Sequence, residues 1–279
     1  MKISALLGNY PGTRFFRDTP NPDLDVDFLP GRPVTHFRKF ARDLHIDIAE
    51  FPIMTFLMAH EREAPLALLP AVVLGGYQHA HLFCKAGGPI RHPADLAGKR
   101  IGVRAYPVTT VTWLRDILER EHGVSRNDIT WVTFEEPHLD NFDNPANVSP
   151  APDGLTAEEM LNNGALDAAV LRAAPDGYDF VPVIPNPHSA GKTWCQRESA
   201  IQINHVMTVP RTFAARHPLV VTNFIQALET SIKMAGNPTP FGRKAVEPSL
   251  SLAIACARRQ GIIRKTANVD NLYSCNGLG

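Results

Sequence analysis

The run LALLPAVVL at residues 66–74 restricts the architecture more than any other stretch. Every residue in it is apolar, so as a strand it has no face to give to water. Such strands occur where helices cover both sides of a sheet. The flanking sequence agrees. PIMTFLMAHERE begins with Pro52, suited to the first turn of a helix, and IDIAEF (46–51) before it reads as a short strand. KISALLG reads as a first strand ending at Gly8, LDVDFL (24–29) alternates as a second, and PVTHFRKFARDL (33–44) carries apolar residues at helical spacing.

The same alternation continues downstream. PADLAG reads as a short helix leading into the strand KRIGVRA, followed by a long helix from about Thr109 to His122. DITWVTFEE (128–136) is another strand. In LTAEEMLNNG, Thr156 is placed as a helix N-cap with Glu159 as its capping-box partner, Gly164 as the stop and LDAAVL as a strand beyond. Residues 137–155 read as a long surface loop. INHVMTVPR (203–211) alternates as a strand, and two amphipathic helices follow it. Strands alternating with helices define an α/β protein. The Gly87–Gly88 pair and the strand near 203–209 read as crossovers between two α/β lobes. Residues 1–90 with 208–279 form one lobe and 91–207 the other, with ligands expected in a central cleft, at strand carboxyl ends and helix amino ends.

Charge narrows the function. Twenty-eight basic residues balance 28 acidic ones, so no net field favours nucleic acid or an anionic membrane. The first residues, MKISALLGNY, hold too few apolar positions for a secretory segment, and no later run is long enough to span a bilayer; a cytoplasmic protein is the expectation. The four cysteines, Cys84, Cys195, Cys256 and Cys275, are far apart, form no CxxC pair and read as reduced thiols. No Walker A, GxGxxG, GxSxG or HExxH stretch is present.

GGYQHAHLFCKAGG (75–88) raises the sharpest chemical question. Read as a strand, it puts His79 and His81 on one face, about 6–7 Å apart. YPVTTVTW lets Thr109 or Thr110 cap the following helix, whose amino end then favours a carboxylate, and Tyr106 offers a hydroxyl. Arg14, Arg104 and Arg172 are the cationic candidates for a bidentate carboxylate contact. Asn9 and Tyr10 close the first strand, where binding loops gather. Glu135, beside Glu136 and His138 in FEEPH, is placed to orient a phenol or act as a base.

The order LGNYPGT, IDIAEFPIMTFL, LLPAVVLGGYQHAHLF, PADLAGKRIGVRAYPVTTVTWLRDIL, LDAAV and INHVMTVPR resembles the 4,5-dihydroxyphthalate decarboxylases, in the superfamily of type II periplasmic solute-binding proteins. The resemblance implies two α/β lobes around a ligand cleft. DLAGKRIGV is shared by many transport binding proteins, whereas YQHAHLF and INHVMTV carry the histidines, His79 and His205, that decarboxylase-like members also have. The family commonly has a small hydroxyl residue in place of His81 and often an Arg in place of Gln78, and PNPHSAGKTWCQRESAIQ departs from its usual aromatic and arginine-bearing stretch.

The implied reaction is decarboxylation of a dihydroxylated aromatic dicarboxylate to a catechol acid such as protocatechuate, with no organic cofactor. His79 is the first candidate proton donor and His205, on the returning strand, the second, because imidazole supplies both protonation states near neutrality. His79, His81 and His205 could together ligate a metal, but no carboxylate stands at ligand spacing and the resemblance requires none, so no metal is expected. The expected partner is a small aromatic carboxylate; self-association into a homo-oligomer is left open. A solute-binding protein for a small organic anion, using the same cleft without chemistry, is the alternative.

Overall fold

The computed structural model describes residues 1–273, and Cys275 lies outside them. Along the chain come β1 (Lys2–Leu6), α1 (Arg14–Asp18), β2 (Asp25–Phe28), α2 (Phe37–Asp43), β3 (Ile48–Pro52), α3 (Ile53–Glu61) and β4 (Leu66–Gly76). Then follow β5 (Leu82–Lys85), β6 (Arg100–Val103), α4 (Thr109–His122), β7 (Thr130–Thr133), β8 (Val148–Pro150), α5 (Ala157–Asn162), β9 (Ala168–Val170), β10 (Phe180–Pro182) and α6 (Pro187–Glu198). The chain ends with β11 (Gln202–Pro210), α7 (Arg211–Arg216), α8 (Pro218–Lys233), α9 (Arg243–Arg259) and α10 (Val269–Leu272).

Two units divide these elements: residues 1–75 with 201–279, and residues 76–200. In the first unit a five-stranded sheet has the order β2-β1-β3-β11-β4. β1 runs parallel to β2 and β3, while β11 returns antiparallel to β3, setting His205 opposite Pro52 and Met207 opposite Glu50. Ile3, Ala5, Ile48, Leu69, Met207 and Val209 pack against Val221, Phe224, Leu228 and Ile232 of α8. As its apolar run requires, β4 is buried over Leu66–Val73.

The second unit holds a six-stranded sheet, β10-β5-β9-β6-β7-β8. β9, β6, β7 and β8 run parallel to one another, and β5 is antiparallel to both β9 and β10. Phe83, Val132, Met160, Leu161, Leu166 and Phe180 form a core here. Trp113 of α4 meets Trp194 of α6 edge to face, ring centres 6.0 Å apart. The capping box of Thr156 and Glu159 is formed as the sequence predicts, with both reciprocal hydrogen bonds present.

Four local readings need correction. Residues 79–81 are a 3₁₀ turn, closed by the His81 N–H donating to the Gln78 carbonyl, and strand pairing starts only at Leu82. The two histidines therefore do not share a strand face. Val108, not Thr109 or Thr110, is the N-cap of α4, and no side chain caps that end. The crossovers fall at 75/76 and 200/201: the first precedes Gly87–Gly88 because β5 pairs with β9 and β10 of the second unit, and the second lies just before the strand near 203–209. Within the expected loop 137–155, Pro137, His138 and Leu139 are buried and β8 pairs with β7. Among the described residues, no helix is long and apolar enough to cross a membrane. Cys84 and Cys256 are buried free thiols and Cys195 is half-buried.

Candidate active site

At the carboxyl end of β1 the chain turns through Gly8-Asn9-Tyr10-Pro11-Gly12-Thr13. Thr13, fully buried, is the hub of that turn. Its hydroxyl donates to the Gly8 carbonyl at 2.5 Å and accepts from the Tyr10 N–H at 2.9 Å. The Thr13 and Arg14 N–H groups both return to the Tyr10 carbonyl. Gly8 suits this position, because a Cβ here would stand 2.3 Å from Cζ and 2.5 Å from the hydroxyl of Tyr10 and displace that ring.

The turn delivers Tyr10 to Glu50, which stands in the middle of β3 with 0% of its surface exposed. A buried carboxylate is costly unless hydrogen-bonded, and Glu50 has three partners that can donate. The Gly8 N–H reaches Oε2 at 2.6 Å and the Tyr10 hydroxyl reaches Oε1 at 2.6 Å. His205 Nδ1, from β11, also meets Oε1 in a short hydrogen bond. The Phe37 ring, from α2, meets the imidazole in a T-shaped contact, ring centres 5.1 Å apart. His205 keeps 14% of its side chain exposed, so a buried acceptor holds one ring nitrogen while part of the ring reaches the surface. Beside this set, the exposed Arg14 donates through Nε to Asn9 Oδ1 at 3.3 Å.

Four of the residues singled out from sequence, Asn9, Tyr10, Arg14 and His205, thus meet in the first unit around a fifth that was missed. Its one sequence signal is a single acid inside the apolar strand IAEFP. A lone charge in a strand reads as a solvent-facing position, and its imidazole partner lies 155 residues away in the chain.

The remaining candidates lie in the second unit. His79 has no exposed surface; its Nε2 stands 3.5 Å from Glu121 Oε2. Burial opposes ionisation of Glu121, but His79 and Arg197 beside it prevail and hold its pKa below the ordinary value. His81 turns elsewhere, with Nδ1 at 3.3 and 3.2 Å from the carbonyls of Leu171 and Arg172, and burial pushes its pKa down. Arg172 offers that carbonyl while its side chain is exposed. Thr110 donates to the buried Gln78 at 3.0 Å, and Thr109 is buried beside it on α4.

Arg104 pairs with the exposed Glu135 at 3.0 Å and donates to His138 Nε2 at 2.8 Å. Tyr106 is a core residue, 2% exposed, with the buried Arg115 guanidinium 3.7 Å from its ring centre; the hydroxyl-donor role expected from sequence does not suit that packing. Among the described residues, no group of three His, Cys, Asp or Glu side chains is disposed to hold a metal ion.

The NMT1/THI5-like family model matches residues 15–143. A 4,5-dihydroxyphthalate decarboxylase of Comamonas testosteroni is 29% identical over 250 residues, 84% of this chain and 76% of the relative. One from Pseudomonas putida is 28% identical over 209 residues, 70% of this chain and 81% of its own. Among solved structures, a periplasmic sulfonate-binding protein of Methylobacillus flagellatus KT matches 98% of this chain and 91% of its own with a TM-score of 0.58 at 11% identity, a likeness of fold. The fold is therefore the two-lobed α/β arrangement of periplasmic binding proteins, one sheet to each lobe. The chain is thus similar in sequence to 4,5-dihydroxyphthalate decarboxylases and in fold to periplasmic binding proteins.

Proposed function

We propose that the protein decarboxylates a dihydroxylated aromatic dicarboxylate of the 4,5-dihydroxyphthalate type to a catechol acid such as protocatechuate, without an organic cofactor. The observation that carries the reading is His205, a partly accessible imidazole fixed through Nδ1 to the buried Glu50, in a chain whose curated relatives are named for this reaction.

In the substrate, a hydroxyl para to the departing carboxylate pushes electron density into the ring as its proton is drawn away. The ring carbon bearing the carboxylate then takes a proton, giving a non-aromatic dienone. Cleavage of the bond to the carboxylate releases carbon dioxide and returns the electron pair to the ring as a phenolate, which regains the proton that the hydroxyl had given up to solvent. One proton is consumed for each carbon dioxide released. His205 supplies that proton; a positioned imidazole contributes about 10²–10⁴ in rate. His79, the other candidate donor, is fully enclosed, and the role is assigned to His205 for that reason. Tyr10, half-buried beside it, orients the phenolic edge, and Arg14 with Asn9 attracts a carboxylate at the exposed rim.

Incubation with 4,5-dihydroxyphthalate, with and without a chelator, should release carbon dioxide and protocatechuate equally in both arms. His205→Ala should lower kcat about 10²–10⁴-fold and change KM far less. Tight binding of the diacid with no turnover would replace this reading with that of a solute-binding protein.

A further inference from the structure

We infer that Glu50 is a positioning residue that sets which nitrogen of His205 carries the proton, a role that rests on the decarboxylase reading. Three observations converge. Glu50 is fully buried, so its only partners are those the fold supplies. A backbone N–H and a phenol already donate to it, from Gly8 and Tyr10. The third contact is with Nδ1 of His205 and not Nε2. An ionised carboxylate only accepts hydrogen bonds. Facing it, the neutral imidazole must carry its proton on Nδ1, which leaves Nε2 as the basic nitrogen. That nitrogen can then take a proton from water and hand it to the substrate carbon. In the same way, the partner of one ring nitrogen selects the function of the other in many histidine sites.

The neighbouring elements reinforce the assignment. Phe37 of α2 meets the imidazole edge to face and opposes rotation of the ring. The antiparallel pairing of β11 with β3 fixes the backbone distance between residues 205 and 50. Gly8 and Thr13 hold the turn that brings the Tyr10 hydroxyl to the same oxygen, Oε1. Glu50 is thus placed to orient the imidazole without touching the substrate.

Glu50→Gln tests this. The amide keeps one acceptor and replaces the other with a donor, so three donors can no longer all be met. The imidazole gains by turning a bare Nδ1 toward the amide and protonating Nε2. Nitrogen-15 NMR of histidine-labelled protein, with His205 assigned from a His205→Gln control, should show Nδ1–H for the neutral ring of the unaltered protein. Glu50→Gln should show mainly Nε2–H, with kcat lowered about 10²-fold or more and KM within a few-fold. Tyr10→Phe removes a donor and leaves the carboxylate, so Nδ1–H should persist there.

A bare Nδ1 in the unaltered protein overturns the proposal whatever the activity, and needs no variant to fold. Unchanged kcat in a folded Glu50→Gln protein overturns it as well. Absence of turnover with Nδ1–H present removes the decarboxylase reading and leaves the Glu50–His205 pair standing, so the two failures are distinct.

Discussion

Gly8 joins backbone conformation to chemistry in a single residue. Its missing side chain is the space that the Tyr10 ring occupies on its way to Glu50. Gly8→Ala should therefore drive the ring out and break the hydrogen bond to the buried carboxylate. Bonds to charged groups contribute about 1.5–3 kcal/mol, and urea unfolding should register a loss of that order together with reduced turnover; unchanged stability would mean that Tyr10 is not held there. Glu121 gives a second prediction at this scale. Its folded-state pKa lies below the ordinary 4.5, with His79 and Arg197 outweighing the cost of burial. A carboxylate depressed in this way stabilises the fold above its unfolded pKa and loses that stabilisation as pH falls through the folded one. Unfolding free energy should thus decline below pH 4.5, and Glu121→Gln should flatten that decline while lowering stability at neutral pH. A variant as acid-sensitive as the parent would show that the pair contributes nothing.

Among the elements, α4 is the longest helix of the second unit. Its middle carries Trp113 and Arg115 into the interior, and its last turn holds Glu121 and His122. Gly123 ends it in the left-handed region at φ 66°, with its N–H returning to the Leu118 carbonyl. A side chain there costs about 1–2 kcal/mol, so Gly123→Ala should lower the urea midpoint by the equivalent amount; no change would mean that the helix end relaxes freely. The bounds of this helix were legible in the sequence, because a 3.6-residue apolar period and a terminal glycine are both local signals. The buried run of β4 and the Thr156–Glu159 capping box were legible for the same reason. The turn at His79–His81 was not. Alternation in YQHAHLF imitates a strand, whereas strand pairing in this sheet begins only at Leu82. Glu50 was hidden for the opposite reason. Its meaning depends on a histidine brought alongside by strand pairing across the whole intervening segment, and no local pattern carries that.

At the scale of the molecule, residues 76–200 form an uninterrupted segment that supplies all the pairing partners of its own six strands from β5 onward. Its core residues Phe83, Val132, Met160, Leu161 and Phe180 all lie within it. The other unit is split in sequence, but its two pieces meet where the segment leaves and returns. A Cβ on Gly75 would stand 2.8 Å from Ile201 Cδ1 and 3.2 Å from the Gln202 carbonyl, and β4 neighbours β11 in one sheet. The segment is thus joined to the rest at closely spaced ends, the arrangement in which excision leaves both cores intact. Expressed alone, residues 76–200 should fold. The chain's three tryptophans, Trp113, Trp131 and Trp194, all fall inside this segment and are buried. Its fluorescence maximum should match that of the full protein and shift to the red in one cooperative step with urea. A red-shifted spectrum without denaturant, or a gradual change with it, would show that the segment needs the other sheet in order to pack.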